Sequence, residues 1–240
     1  MVNCAALTNV DDAESDPVGA HAINAVGPAN LADACARVGA RLVHLSTDYV
    51  FSGDGADGAF SGDGARPYEI GDRTGPLSVY GRSKLDGELA VHAVLPDAHV
   101  VRTSWVYTGG GGTDFVAVMR RLAGTDRVID VVDDQTGSPT YAKDLVAALL
   151  QIAGGGIDAP VLHVTNAGTA SRFEQARAVF EELGADPDRV RPVGTAAVPR
   201  PARRPVFSAL SMAESVRAGL TPLRPWREAL AEAVAVPIQQ

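Results

Sequence analysis

The apolar positions alternate between helical and extended spacing. Val18, Ile23, Val26, Leu31, Ala34, Cys35 and Val38 recur three to five residues apart, which lines one face of a helix, and Gly39 supplies the stop. Arg41 to Thr47 then reads as a short strand and Val100 to Tyr107 as another. Between them Tyr80 to Val94 reads as helix, with Leu85, Leu89 and Val94 as a partial stripe and Pro96 ending it. Asp114 to Leu122 and Lys143 to Ile152 are further helices, the second with Leu145, Val146, Leu149, Leu150 and Ile152 turned inward, and Val161 to Val164 is a strand. Strands that each follow a helix predict an α/β fold, a doubly wound parallel sheet with helices on its faces.

The C-terminal third is patterned differently. Ser171 and Glu174 form a capping-box pair ahead of Phe173, Ala176, Val179, Phe180 and Leu183, with Gly184 closing the helix. A second such pair, Ser211 with Glu214, predicts a short helix that Gly219 ends, and Pro222 with Trp226 and Leu230 marks a last helix. Val198 to Pro205, rich in Pro and Arg, is a loop. Ser52–Ala56 recurs as Ser61–Ala65, a tandem Gly/Asp duplication that reads as a solvated surface loop rather than a calcium site.

Composition narrows the function classes. The chain has 240 residues, 46% hydrophobic and 21% charged, enough for a full core. A net charge of -8 repels polyphosphate backbones, so nucleic acid is not an expected partner. Two cysteines, Cys4 and Cys35, far apart and without metal-ligand spacing, predict neither a disulfide framework nor a metal site and fit a reducing cytoplasm. The first residues lack the pattern of a secretory leader, and no stretch approaches the roughly 20 apolar residues of a membrane span.

Chemistry concentrates in two places. Tyr80 and Lys84 stand four apart at a helix start, hence on one face, and an ammonium beside a phenol favours the phenolate and makes tyrosine a usable general acid. With five tyrosines and two lysines in the chain, chance gives such a pair about 4% of the time. Ser46-Thr47-Asp48-Tyr49 lies just past the end of an apolar strand, where open parallel sheets place their ligand crevice. Gly53, Gly55 and Gly58 satisfy a dinucleotide-fingerprint spacing, but no helix follows them to receive a pyrophosphate and Asp54 and Asp57 would repel it.

Taken in order, these residues resemble an extended short-chain dehydrogenase/reductase and, more narrowly, the dTDP-4-dehydrorhamnose reductases. The carriers are Asn3-Cys4-Ala5-Ala6, Val10-Asp11, Ala13-Glu14, Ser46 to Phe51, Val79 to Leu85 with Gly87-Glu88, Arg102 to Tyr107, Asp134-Gln135, Gly137, Pro139-Thr140, and Arg203-Arg204-Pro205 with Ser208 and Leu210. The resemblance implies reduction of dTDP-4-dehydro-L-rhamnose with NADPH or NADH. Tyr80 would protonate the C4 oxygen, Lys84 would hold the nicotinamide ribose and lower the tyrosine pKa, and Thr47 would hydrogen-bond the reacting oxygen. Asp48, Tyr49 and Trp105 would line the sugar pocket, with Ala5 and Ala6 along the cofactor. Leu7 stands where the family usually has an aromatic residue or histidine.

The same resemblance implies a dinucleotide-binding Rossmann part over 1–128 and 142–167 and a sugar-nucleotide part, a smaller α/β domain, over 129–141 and 168–240. It places Asn3 to Ala6 at the end of the family's fourth strand, so the first βα unit with its glycine loop, about 60 residues or two βαβ lengths, is expected to lie outside this sequence. Two alternatives stay open: a non-catalytic binding relative, as the regulatory subunit of methionine adenosyltransferase is, or another nucleotide-sugar epimerase or dehydratase. A homodimer is compatible with the sequence, which does not itself specify an oligomeric state.

Overall fold

The computed structural model describes residues 1–54, 60–61 and 64–236. Along the chain run β1 (Val2–Asn3), α1 (Val10–Ser15), α2 (Pro17–His21), a π-helical turn at Ala22–Val26, α3 (Gly27–Val38) and β2 (Val43–Thr47). A 3-10 turn at Asp48–Val50 and the hairpin β3 (Phe60–Ser61) with β4 (Gly64–Ala65) lead to α4 (Val79–Val94), β5 (His99–Thr103) and β6 (Val106–Tyr107). Then come α5 (Phe115–Ala123), β7 (Ile129–Val132), β8 (Thr136–Gly137), β9 (Thr140–Tyr141), α6 (Ala142–Gly154) and β10 (Val161–His163). The chain continues through β11 (Ala170–Ser171), α7 (Arg172–Glu182), β12 (Val190–Val193), α8 (Ala213–Arg217) and α9 (Trp226–Ala235).

A parallel sheet in the order β1-β2-β5-β10 forms the centre. Its inner strands are buried on both faces, as a parallel sheet covered by helices requires. On one face Val43, Val101 and Leu162 pack with Leu145, Leu149 and Ile152 of α6; another cluster joins Leu42 and Ala98 to Ala32 and Cys35 of α3 and Val91 of α4. A separate cluster holds Val116 and Met119 of α5 with Val131, Val179, Phe180, Leu230 and Val234. The segment 115–123, assigned by sequence to the dinucleotide part, therefore packs against α7 and α9.

Local chemistry accounts for most boundaries. The helical stretch 17–38 is continuous but passes through the π turn, and Gly39 ends it at φ +65°, a left-handed conformation that glycine adopts without strain. The Ser171/Glu174 capping box is present in full, both side chains engaged. Two readings are corrected and one element goes unannounced. Val100 to Tyr107 is two strands in different sheets, because Trp105 at φ +48° turns the chain between them. Ser211 is not the N-cap residue: its N–H pairs with the Tyr68 carbonyl, Met212 holds the cap position of α8, and the Ser211 hydroxyl accepts the Ala213 N–H at 3.3 Å from one residue further out. The six-residue α1, capped by Asn9, lacks the apolar stripe that would have announced it. Gly55, Gly58 and most of the duplicated loop lie outside the described residues.

Beneath the strand ends is a buried ion pair. Arg102 of β5 donates from Nε and Nη2 to the Glu88 carboxylate of α4, the shortest contact at 2.7 Å, with the two side chains 7% and 4% exposed. Glu88 also accepts the Ser46 hydroxyl from β2, and Arg102 reaches the Ile70 carbonyl at 3.3 Å and stacks over Phe51. A buried pair costs desolvation that only full hydrogen bonding offsets, and removing one partner strands the other. Glu88→Ala is expected to cost about 3–5 kcal/mol in urea denaturation, and the double change Glu88→Leu/Arg102→Met to recover most of it. A single-variant loss below about 1 kcal/mol would show that the pair is not what joins helix to sheet.

Candidate active site

Thr47 is the last residue of β2, and its hydroxyl oxygen accepts the Tyr49 N–H at 3.2 Å, starting the turn that presents Asp48 and Tyr49. Opposite, Ser78 caps α4 through the Gly81 N–H at 3.1 Å. Tyr80 and Lys84 fall one turn apart on the face toward β2. Gly81 makes this approach possible: a Cβ there would stand 2.3 Å from the Tyr49 carbonyl oxygen. The Tyr80 ring meets Tyr49 edge-on at 5.9 Å, its phenol is a hydrogen-bond partner of Thr47, and Lys84 Nζ, almost fully buried, donates to the Leu45 carbonyl at 2.6 Å. The three residues read as catalytic from sequence thus converge at the carboxyl end of β2, where a parallel sheet opens its crevice.

The electrostatics differ from the expectation. Burial pushes the Tyr80 phenol up, the charges of Asp48 and Tyr49 push it the same way, and only the Thr47 hydrogen bond opposes them. Lys84 directs its ammonium at the Leu45 carbonyl. Burial lowers Lys84 itself to about 8, with Glu88 and Cys4 acting to raise it. Tyr80 is therefore held as a neutral donor, which suits a general acid.

The other expected residues divide. Tyr49 faces Tyr80. Trp105 is half-buried, and the Arg172 guanidinium lies 3.5 Å over its ring and 4.9 Å from that of Phe115, a cation–π stack. Burial lowers Arg172 to about 10, against Tyr49 and Asp48. Asp48 does not line an open pocket: it is 2% exposed, Oδ1 accepts from Thr47 at 3.1 Å, and Oδ2 accepts from Ser104 at 3.1 Å and from Ser208. Arg172, Ser104 and Ser208 join the site from segments far apart in sequence, and no local spacing announces them.

Ala5 and Ala6 form an open shelf after β1. Ala5 N–H bonds Asn3 Oδ1 at 3.1 Å, and Asn24 clamps both backbone groups of Leu7, at 2.8 and 3.0 Å. Asn24 also donates to Ser83 at 3.0 Å, whose hydroxyl reaches the Tyr80 carbonyl at 2.8 Å. Cys4 is close enough to Lys84 to act on it electrostatically, so this shelf borders the lysine. Small side chains exposed beside a buried ammonium with one of its three protons engaged fit the ribose end of a nicotinamide nucleotide.

A family model described as "RmlD substrate binding domain" matches residues 1–237. The chain is 61% identical over 235 residues to the dTDP-4-dehydrorhamnose reductase of Mycolicibacterium smegmatis, covering 98% of this chain and 69% of that protein. It is 62% identical over 239 residues to the enzyme of the same name from Mycobacterium tuberculosis, covering 99% and 76%. The crystal structure of dTDP-4-dehydrorhamnose reductase from Bacillus anthracis in complex with NADP superimposes with a TM-score of 0.88 at 36% identity, over 98% of this chain and 79% of that one.

Two buried histidines frame the site. Asn3 Oδ1 is occupied by Ala5, so its amide donates to His44 Nδ1 at 3.0 Å, and burial, Lys84 and His92 together lower His44 from 6.5 to about 3. Burial and Arg102 lower His163 likewise to about 3. Both stay neutral in the folded chain and protonate freely in the unfolded one, so stability falls as pH drops below 6.5, by about 1.4 kcal/mol per unit per histidine. Asp48, raised from 3.8 to about 6 chiefly by burial, works the other way, taking its proton in the folded state first. Between pH 6 and 4 these three groups give a net loss of about 1.4 kcal/mol per unit. Urea denaturation at stepped pH measures it; an unaltered slope in His44→Gln/His163→Gln would refute this origin.

Proposed function

The chain belongs to the RmlD substrate-binding-domain family, and on that premise we propose that it reduces dTDP-4-dehydro-L-rhamnose to dTDP-L-rhamnose. The observation that carries this is the convergence of Thr47, Tyr80 and Lys84 at the end of β2. NADPH supplies the hydride. Lys84, with Ala5 and Ala6 beside it, holds the ribose and nicotinamide end, and Leu7 fills the position next to that shelf as an aliphatic side chain.

Tyr80, kept neutral by burial, gives its proton to the C4 oxygen as negative charge develops there, and the Thr47 hydroxyl hydrogen-bonds the same oxygen. Tyr49 and the Trp105–Arg172 stack form the sugar-facing wall, and the cation at that wall suits a ligand carrying a diphosphate. In this reading 1–128 with 142–167 serves the dinucleotide and 129–141 with 168–240 the sugar nucleotide. The protein works in the cytoplasm, and a homodimer is compatible with this reading. Among the described residues no helix is long and apolar enough to cross a membrane.

The test follows nicotinamide absorbance with NADPH and dTDP-4-dehydro-L-rhamnose, beside calorimetric titration with dTDP. Keto-sugar-dependent oxidation is expected, with kcat lowered roughly 10²–10⁴-fold in Tyr80→Phe at little changed dTDP affinity. Binding of dTDP without any turnover would sink the reductase reading in favour of a non-catalytic binding relative.

A further inference from the structure

Thr47 has one hydroxyl proton to give. In the structure it goes to Asp48 Oδ1 at 3.1 Å, while the hydroxyl oxygen accepts the Tyr49 N–H. Oriented so, Thr47 can accept from Tyr80 but has nothing left to donate to a reacting oxygen. The second Asp48 oxygen is taken by two hydroxyls, Ser104 from the segment after β5 and Ser208 from the C-terminal part. The charged and titratable groups that face this carboxyl are Tyr49 on its own turn, Tyr80 on α4 and Arg172 on α7. Arg172 is stacked on Trp105 and acts through space rather than by a direct bond. Burial therefore dominates and raises the carboxyl to about 6, so both of its forms are accessible near neutrality.

The neutral form has one proton to place. With Ser104 and Ser208 both donating to Oδ2, that proton sits on Oδ1, the oxygen that faces Thr47. It is then donated to the threonine oxygen, and the threonine's own proton must turn away from Asp48. We propose that Asp48 is a positioning residue that sets the direction of the Thr47 hydroxyl: as carboxylate it captures the threonine proton, and as neutral acid it turns that proton toward the oxygen shared with Tyr80. Its catalytic meaning rests on the reductase reading; the orientation itself does not. No net transfer of atoms is involved, only which of two hydroxyl groups donates across one short contact.

Infrared difference spectra of the purified chain between pH 7.5 and 5.5 are expected to contain the carbonyl stretch of a neutral, hydrogen-bonded carboxylic acid. It should be lost in Asp48→Asn, move to higher frequency in Thr47→Val, where the acid loses its acceptor, and return in Thr47→Ser. In parallel, Tyr80 ionisation is read as the phenolate absorbance missing from Tyr80→Phe. The Asp48→Asn change removes the charge and puts an amide donor against Thr47, freeing the threonine proton for the phenolate, so the titration should fall by about one pH unit or more. Adding Thr47→Val should take part of that shift back. A carboxyl band that survives Asp48→Asn, a band unmoved by Thr47→Val, or a Tyr80 titration unmoved by Asp48→Asn would each overturn the proposal. Failure of turnover in every form would overturn the reductase reading and leave these spectra to decide the orientation.

Discussion

Everything at the strand ends depends on the contact between α4 and the sheet, and its anchor there is polar. Glu88 lies one helical turn beyond Lys84 and two beyond Tyr80, so anchoring it to Arg102 of β5 and Ser46 of β2 fixes both residues against two strands at once. An apolar contact of the same area would hold the helix down but tolerate sliding, since burial is non-directional. A carboxylate between a guanidinium and a hydroxyl specifies one register. Because Ser46 precedes Thr47 and Arg102 lies two residues before Ser104, the same pair places the threonine and one of the serines around Asp48.

Burial, rather than charge pairing, sets the chemistry of the crevice. Lys84 is discouraged from carrying its charge, His44 and His163 from gaining one, and Tyr80 from losing its proton, each mainly by removal from water. Glu88 is the counterweight that acts to keep the Lys84 ammonium protonated. A buried cation and a neutral phenol thus coexist in one low-dielectric site because they face different partners, Leu45 and Thr47.

What the sequence reveals is whatever is local. The four-residue step from Tyr80 to Lys84, the polar run after β2, the capping box at Ser171 and the stop at Gly39 each rest on neighbours within a turn, and each is present. The alternation of strand and helix was enough for the parallel sheet. What stayed hidden depends on distant partners or on a single backbone angle. Trp105 breaks the strand expected over Val100 to Tyr107 by adopting a left-handed conformation that no spacing predicts. Arg172 joins the site only because α7 folds onto Trp105, and the parallel pairing of β7 with β12 unites short segments with no strong alternation. The effect of Lys84 on Tyr80 is an inference from helical spacing; in the fold the lysine's hydrogen bond goes to the Leu45 carbonyl, a direction that spacing alone does not set.

Asp48 shows the same limit in its sharpest form. From sequence it is one polar residue in a polar run beside a crevice, and the family resemblance implies that it lines the sugar pocket. In the fold it is sealed, and its three hydroxyl partners come from the end of β2, the segment after β5 and the C-terminal part. A carboxyl satisfied by three separate segments is complete only when all three are in place. Thr47, which shares a contact with both Asp48 and Tyr80, is thereby made to depend on the docking of Ser208. The Thr47 hydroxyl at the end of β2 is therefore oriented by the part of the chain that packs over it as well as by the sheet that carries it.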